Sequence, residues 1–203
     1  MSRTALLTIA VFAAGLAACG GGAKEKPVAS VAGHPISREQ LDQTIEHFQE
    51  EAKNEGRLFP KKGSRQYGSV EKRLLALLVY RKELELAAAR LGVRVSDRQV
   101  ESRLAKSGGT AEKDDAFLRG TARSQLVLEA VTRKLTRNLH VTAVEVRSYY
   151  TAHRQAYGKT PFAQLRGSIE RQLLAQRKND ATARWIGQAQ RTLGPKVRYA
   201  LKD

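Results

Sequence analysis

One long amphipathic segment, residues 70–91, constrains the fold of this chain more than any other feature. The filler residues are mostly Ala, Leu, Glu, Lys and Arg, which lose little freedom on entering a helix. Gly92 follows, and glycine commonly ends a helix because it adopts a left-handed conformation without strain. At about 1.5 Å per residue the segment spans roughly 33 Å, so we expect a buried central helix. Its apolar residues share one face of a 3.6-residue period: Val70, Leu74, Leu77, Leu78, Leu84, Ala88 and Leu91.

Capping boxes predict three further helix starts. A serine or threonine followed three residues later by Gln or Glu satisfies two free backbone N–H groups of the first helical turn. Each box follows a short extended piece, and the first one opens a helix that ends near residues 54–56. The three pairs are Ser37 and Gln40, Ser96 and Gln99, and Thr142 and Glu145.

The rest of the chain completes a mainly helical fold. We expect a short strand and turn over 28–36, and basic or polar loops over 57–69 and 107–115. Two more helices are predicted, one over 117–139 and a long one from Pro161 to the Gly194-Pro195 pair. A last strand over 196–201 is expected to pair with residues 28–31. The fold class is therefore mainly α, with a long C-terminal helix and a small two-stranded sheet joining the termini.

The first nineteen residues have the pattern of an export signal. Arg3 gives a positive start, and an apolar run over 5–16 follows, which is shorter than the roughly 20 residues that span a membrane. Leu16-Ala17-Ala18-Cys19 is similar to the lipobox of bacterial lipoproteins, which implies a lipid, such as palmitate, on Cys19. We therefore predict a signal peptide over 1–18, a lipidated cysteine with a flexible tether over 19–27, and one domain over 28–203.

Charge and compartment together limit the partners. The formal charge is +16, and Arg3 is the only charge in the first eighteen residues, so the remainder keeps +15. Such a charge suits an anionic partner, but an exported lipoprotein does not normally meet nucleic acid. With Cys19 as the only cysteine, no intramolecular disulfide can form. Glycine at position 20 is compatible with sorting to the outer membrane, so we expect the protein to be anchored there on the periplasmic face.

Four segments resemble the SurA/PrsA-type chaperones, in particular the SurA N-terminal-like domain of the parvulin-type peptidyl-prolyl isomerase family. The first is similar to that family's strand, x-Gly-x-Pro-Ile turn and helix, and the second to its central helix with a Gly-Val-x-Val-Ser-Asp turn. The third resembles its Tyr-Tyr helix and the fourth its closing helix. The segments are VASVAGHPISREQLDQTI from Val28, RLLALLVYRKELELAAARLGVRVSDRQVESRL from Arg73, VTAVEVRSYYTAHRQAY from Val141 and PFAQLRGSIERQLLAQRKNDATARWI from Pro161.

One departure from that family bears on activity. In full-length relatives a parvulin isomerase domain follows the Tyr-Tyr helix, but here only residues 158–160 separate Tyr157 from Pro161. The resemblance therefore implies a chaperone module that is not an enzyme. The residues agree: the four histidines lack paired metal-ligand spacing, and no phosphate-binding loop is visible. We predict no catalytic residue, metal or cofactor.

A binding module remains, and three functions are open. The first is an ATP-independent chaperone that binds unfolded exported or outer-membrane proteins. The second is an isomerase-related protein with residual foldase activity. The third is a basic accessory lipoprotein that binds anionic polysaccharide or lipid, since residues 146–203 carry twelve Lys and Arg against three acids. For the first function the candidate client-contacting residues are Leu58, Phe59, Tyr67, Tyr149 and Tyr150.

Overall fold

Six helices and three short strands form the described part of the chain. The computed structural model describes residues 26–107 and 115–201. Short 3₁₀ turns cover Arg154–Tyr157 and Gly194–Lys196. The elements in chain order are β1 (Ala29–Val31), β2 (His34–Ile36), α1 (Arg38–Asn54), α2 (Arg65–Arg90), α3 (Asp97–Lys106), α4 (Ala116–Thr136), α5 (Ala143–Ala152), α6 (Phe162–Leu193) and β3 (Val197–Tyr199).

All three predicted capping boxes are formed, at the starts of α1, α3 and α5. In each, the hydroxyl accepts a backbone N–H three residues on, and the Gln or Glu side chain accepts the cap residue's own N–H. The third box does more than cap, because Glu145 Oε1 also pairs with Arg177 of α6. The bond from Arg177, with those from Thr142, lowers the pKa of Glu145 to about 2. A local helix start is thereby joined to a neighbouring helix.

Helix α2 is the central helix that the sequence predicts, but it begins earlier. Its N-cap is Ser64, whose hydroxyl accepts the Tyr67 N–H at 3.1 Å, so residues 65–69 are helical where a loop is predicted. Tyr67 stands where a Glu or Gln would complete a capping box, which is why this start escapes sequence reasoning. The end agrees with the prediction: the helix stops at Arg90, and Gly92 takes a φ of +70°.

Helix α2 packs against α1, α4, α6 and β1, and the main core forms where it meets α1, α6 and β1. Leu75 and Leu84 of α2 are almost completely buried, and Ala88 fully so. Each buried leucine contributes about 2 kcal/mol through removal of apolar surface from water. Trp185 of α6 packs against both this core and a second cluster of Ala88, Val127 and Val131, so it joins the two.

The sheet has three strands in the order β2-β1-β3, all antiparallel. Pairing of the N-terminal strand with the C-terminal strand is confirmed, with Val31 opposite Val197. The prediction of two strands misses β2. Ala32 and Gly33 both have positive φ, 48° and 84°, which is the geometry of a tight hairpin turn. Pro35 is tolerated in β2 because this strand lies at the sheet edge, where a missing N–H leaves no ladder bond unmade.

Helix α6 is continuous over 32 residues and serves two clusters. Near its start Ile169 is buried against Val146 and Tyr150 of α5. Near its end Ala189 and Leu193 enter the main core. The helix therefore connects the α5 segment to the body of the fold.

Helix α4 ends three residues before its predicted end, and Asp115 caps its start by accepting the Leu118 N–H at 2.9 Å. Of the loop predicted over 107–115, residues 108–114 lie outside the described residues, as do Cys19 and the signal segment. None of the helices in the described ranges is both long and apolar enough to cross a membrane.

Candidate functional site

The loop between α1 and α2 presents a large apolar side chain to solvent. Helix α1 ends at Asn54, and Gly56 turns the chain with a φ of +66°. The Arg57 N–H then donates to the Ala52 carbonyl at 2.8 Å, which holds the loop against the helix end. Leu58 follows with its side chain 100% exposed. A fixed backbone therefore projects a leucine away from the core.

An apolar pocket of about 500 Å³ lies beside Leu58. Phe59 forms part of its wall and also packs against the main core. Tyr67 meets Phe59 edge to face at a centroid distance of 6.4 Å. Burial raises the pKa of the Tyr67 hydroxyl above its ordinary value. The pocket is lined by the apolar residues Phe48, Ala52, Leu58, Phe59, Pro60, Val70 and Leu74, and by the charged residues Glu51, Arg57 and Arg73.

The structure thus brings three of the predicted client-contacting residues together, in different roles. Leu58 is exposed, Phe59 is half-buried at the pocket, and Tyr67 is buried behind Phe59. Together we call Leu58, Phe59 and the apolar residues lining the pocket the loop site. Whether any of them contacts a client stays a prediction.

Tyr149 and Tyr150 belong to the α5–α6 cluster rather than to the loop site. Tyr150 is only 8% exposed, and its hydroxyl donates to the Thr160 carbonyl at 3.0 Å. Tyr149 is half-buried; its ring stacks on His153, and its hydroxyl accepts a hydrogen bond from Gln172 at 2.9 Å. With its side chain buried, Tyr150 supports helix packing, and we leave it out of the candidate surface.

A second opening, which sequence reasoning misses, is a cleft of about 790 Å³ beside the middle of α2. No motif marks it, because its walls come from β2, α1, α2, the segment after α2, and α4. Its apolar walls are formed by Ile36, Leu78, Ala89, Val93, Val95, Ala116 and Val127. Its charged residues are Arg81, Lys82, Glu85, Arg94, Asp97, Arg119 and Arg123.

Several cations of this cleft are paired with carboxylates. Lys82 lies 3.0 Å from Glu85, and Arg119 pairs with Glu101. Arg123 pairs with Asp97 and also donates to the Val95 carbonyl at 2.9 Å. These contacts fix the α3 start against α4.

Arg81 is held differently, by neutral groups of α4. One Nη donates to Thr121 Oγ1 at 2.6 Å and the other to the Phe117 carbonyl at 3.4 Å. The guanidinium lies over the Phe117 ring, 4.6 Å from its centroid. Gly120 leaves room for it, since a Cβ there would stand 2.7 Å from Nη1. Burial lowers the pKa of Arg81 from its ordinary value.

Within residues 26–107 and 115–201, no group of three His, Cys, Asp or Glu side chains is placed to hold a metal ion. Three of the histidines are engaged in polar contacts. His47 contacts Asp115 at 2.6 Å, and His140 and His153 contact backbone carbonyl oxygens at 3.3 and 2.8 Å. His34 is exposed in β2.

Comparison with family models gives a match. A family model described as the SurA-like N-terminal domain matches residues 3–121, which takes in β1 to the first part of α4. A parvulin catalytic domain was not found. Neither the curated proteins nor the solved structures contain a match to this chain.

Proposed function

Because the chain belongs to the family of SurA-like N-terminal domains, we propose that it is an ATP-independent chaperone for unfolded exported polypeptides. That family is of the chaperone type and is associated with polypeptide substrates. Outer-membrane proteins are the clients we expect. The protein acts on the periplasmic side of the outer membrane, tethered through lipid on Cys19. It performs no isomerase chemistry of its own.

The exposed Leu58 beside an apolar pocket is the observation that carries this proposal. A fully exposed leucine alone is ordinary on a protein surface. Here it stands next to Phe59 and a pocket of about 500 Å³, which is a concave apolar surface open to solvent. Unfolded chains of many different sequences expose apolar side chains, and burying an apolar side chain does not require a particular orientation. The loop site suits that kind of ligand.

The tether and the location are supported by sequence alone. The apolar run, the small residues before Cys19 and the glycines after it form the lipoprotein pattern. A lipid anchor near the site of export would hold a chaperone where clients emerge. The high net charge helps to keep a protein with exposed apolar surface from associating with itself.

A second candidate function is binding of an anionic polysaccharide or lipid surface. Residues 146–203 carry a net charge of +9, and nine of their cations are exposed, six of them on α5, α6 and β3. Salt separates the two functions. Binding between exposed charges weakens over a Debye length of about 8 Å at physiological salt, whereas apolar burial does not.

The test is suppression of client aggregation. An unfolded outer-membrane β-barrel protein is diluted out of denaturant with and without the purified protein, at low and at moderate salt, and light scattering is followed. We expect salt-resistant suppression that Leu58→Ser weakens. Val144→Ser is the matched control, because Val144 is also exposed, at 75%, but lies on α5 away from the loop site.

Three results would contradict the proposal. Absence of suppression at moderate salt would favour the polyanion-binding function. If Leu58→Ser and Val144→Ser weakened the suppression of aggregation equally, the activity would not depend on the loop site. Turnover in a parallel proline-isomerisation assay would show that the protein is an enzyme.

A further inference from the structure

Arg81 has more hydrogen-bond donors than the fold uses. A guanidinium carries five N–H groups, and two of them are taken up by Thr121 and the Phe117 carbonyl. Within the described ranges, every side-chain nitrogen that is shielded from solvent has a partner. Nε of Arg81 has no partner among the described residues, so it is not fully shielded from solvent, and the residue lines the cleft.

Arg81 also forms no salt bridge with a described residue, although the charge of Glu85 acts on it from one helical turn away. The other α2 and α4 cations of the cleft, Lys82, Arg119 and Arg123, are each paired with a carboxylate. No carboxylate of residues 26–107 or 115–201 pairs with Arg81, and none pairs with Arg94 on the segment after α2. A half-buried guanidinium whose hydrogen-bond acceptors are all neutral would be stabilised further by a charge-assisted hydrogen bond to a carboxylate.

The composition of the cleft points to the missing partner. Among the described residues that line it, five are cations and two are carboxylates, Glu85 and Asp97, so this part of the lining is net positive. Between the charges lie aliphatic side chains, including Leu78 and Val127. A ligand that matches both features presents carboxylates and apolar groups in alternation. An extended polypeptide segment rich in Asp or Glu next to Leu, Val or Phe has this chemistry.

We propose that the cleft is a second client-binding site, selective for acidic-apolar segments, and that Arg81 binds the client carboxylate with Arg94 as the supporting cation. The inference rests on the proposed function, because its ligand is the same class of unfolded chain. It adds a preference for acidic residues to the apolar contacts that the loop site offers.

The position of Arg81 suits this role. Its guanidinium is already ordered by α4 and by the Phe117 ring, so less side-chain entropy is lost when a carboxylate binds. Half-burial reduces the screening that makes exposed ion pairs weak. Gly120 contributes by leaving the space in which the guanidinium lies.

The test uses two fluorescein-labelled peptides that share alternating Leu and Phe residues and differ only in having Glu or Gln between them. Fluorescence anisotropy with the purified protein gives the ratio of the two affinities at about 0.15 M salt. We expect the Glu peptide to bind about fivefold more tightly, the ratio expected of one charge-assisted contact in a partly exposed site. Arg81→Gln should bring the ratio close to one.

Arg184→Gln is the matched control, because Arg184 is an exposed arginine of α6 outside the cleft and the change in net charge is the same. This variant should keep the preference for Glu. Arg81→Lys, which keeps the charge but not the fork of donors, should give an intermediate ratio. Unchanged circular dichroism and melting temperature would show that each variant is folded.

The outcomes separate the two proposals. Equal binding of both peptides would overturn the acidic preference while leaving the proposed chaperone function intact. Failure of both peptides to bind, together with no suppression of client aggregation, would overturn the proposed function and this inference with it. An equal loss of preference in Arg81→Gln and Arg184→Gln would assign the effect to overall charge and overturn the cleft site.

Discussion

The Nδ1 atom of His47 lies 2.6 Å from Oδ2 of Asp115, and the two residues are 68 positions apart in the chain. Asp115 is also the N-cap of α4, where its other oxygen accepts the Leu118 N–H. The His47 ring stacks on Phe117 at a centroid distance of 4.3 Å. One carboxylate thus starts α4 and ties it to α1, next to the segment 108–114 that lies outside the described residues.

This arrangement predicts coupled losses of stability. Asp115→Ala removes the helix cap and the contact with His47, and we expect it to lower the free energy of unfolding by about 1–2 kcal/mol. His47→Ala removes the contact and the stack on Phe117. Because both changes delete the same contact, the double variant should lose less than the sum, by about 0.5 kcal/mol or more. Urea unfolding of the wild type, the two single variants and the double variant measures the coupling free energy between the two residues. Strict additivity would show that the contact contributes nothing.

Glu83 on α2 is the buried carboxyl for which we predict a pH effect. It is only 6% exposed, and no described residue gives it a hydrogen bond or an ion pair. Burial raises its pKa above the ordinary value. Ionising this group therefore opposes folding, and the loss of stability develops as pH rises past the ordinary glutamate pKa of about 4.3. Glu83→Gln should stabilise the protein by about 1 kcal/mol at pH 7.

The gain from Glu83→Gln should disappear in acid. Well below about pH 4.3 the wild-type carboxyl is protonated in the folded and unfolded states alike, so the variant has no charge to remove. Thermal unfolding at neutral and at acidic pH gives both values. Glu50→Gln, on the exposed side of α1, is the control and should change little at either pH. A destabilising Glu83→Gln at pH 7 would mean that the carboxylate has a partner after all.

The pairing of the chain ends predicts that Val31 is a critical position. Its side chain is 0% exposed in β1, the central strand, which pairs with both β2 and β3. Val31→Ala should reduce stability by about 2 kcal/mol through lost burial and the cavity left behind. Val144→Ala deletes the same atoms at a position that is 75% exposed, and should stay within about 0.5 kcal/mol of wild type. Similar effects at both sites would contradict the burial that the sheet imposes on Val31.

The lipid tether is tested at the chain's only cysteine. Cells expressing the wild type should yield the protein in the membrane fraction, labelled when they are fed radioactive palmitate. Cys19→Ser removes the thiol that would carry the lipid, so label and membrane association should both be lost. Because every described element lies after residue 27, melting of the purified variant should match that of the purified wild type. Label on the serine variant, or an unlabelled wild type, would refute lipidation at Cys19.

Helix positions in this protein follow from local sequence. Ser37, Ser96 and Thr142 each satisfy N–H groups within three residues, so their capping boxes are visible in the chain itself. The apolar period of α2 likewise predicts a buried central helix. The loop site was partly predictable from sequence as well, because Leu58 and Phe59 are large apolar residues in a basic loop.

The tertiary structure decided those properties that depend on contacts between segments distant in the chain. Tyr150 and Tyr149 are neighbours of the same type, and only the packing of α6 makes one buried and leaves the other half-exposed. Strand β2, which the sequence did not predict, contains Pro35 and is possible because it lies at the edge of the sheet. That edge position depends on β3 pairing with the other side of β1. The cleft depends on β2, α1, α2, the segment after α2 and α4, which meet only in the folded chain.

The sequence by itself determined the helical class and the capped starts, because each depends on residues a few positions apart or on a simple apolar period, whereas the pairing of β1 with β3 joins strands from opposite ends of the chain. Only the tertiary structure decided that Arg81 forms no salt bridge with any described residue, that Glu83 is buried and that His47 meets Asp115. Those properties depend on which side chains from distant segments come within a few ångströms, and electrostatic energies change steeply over that distance.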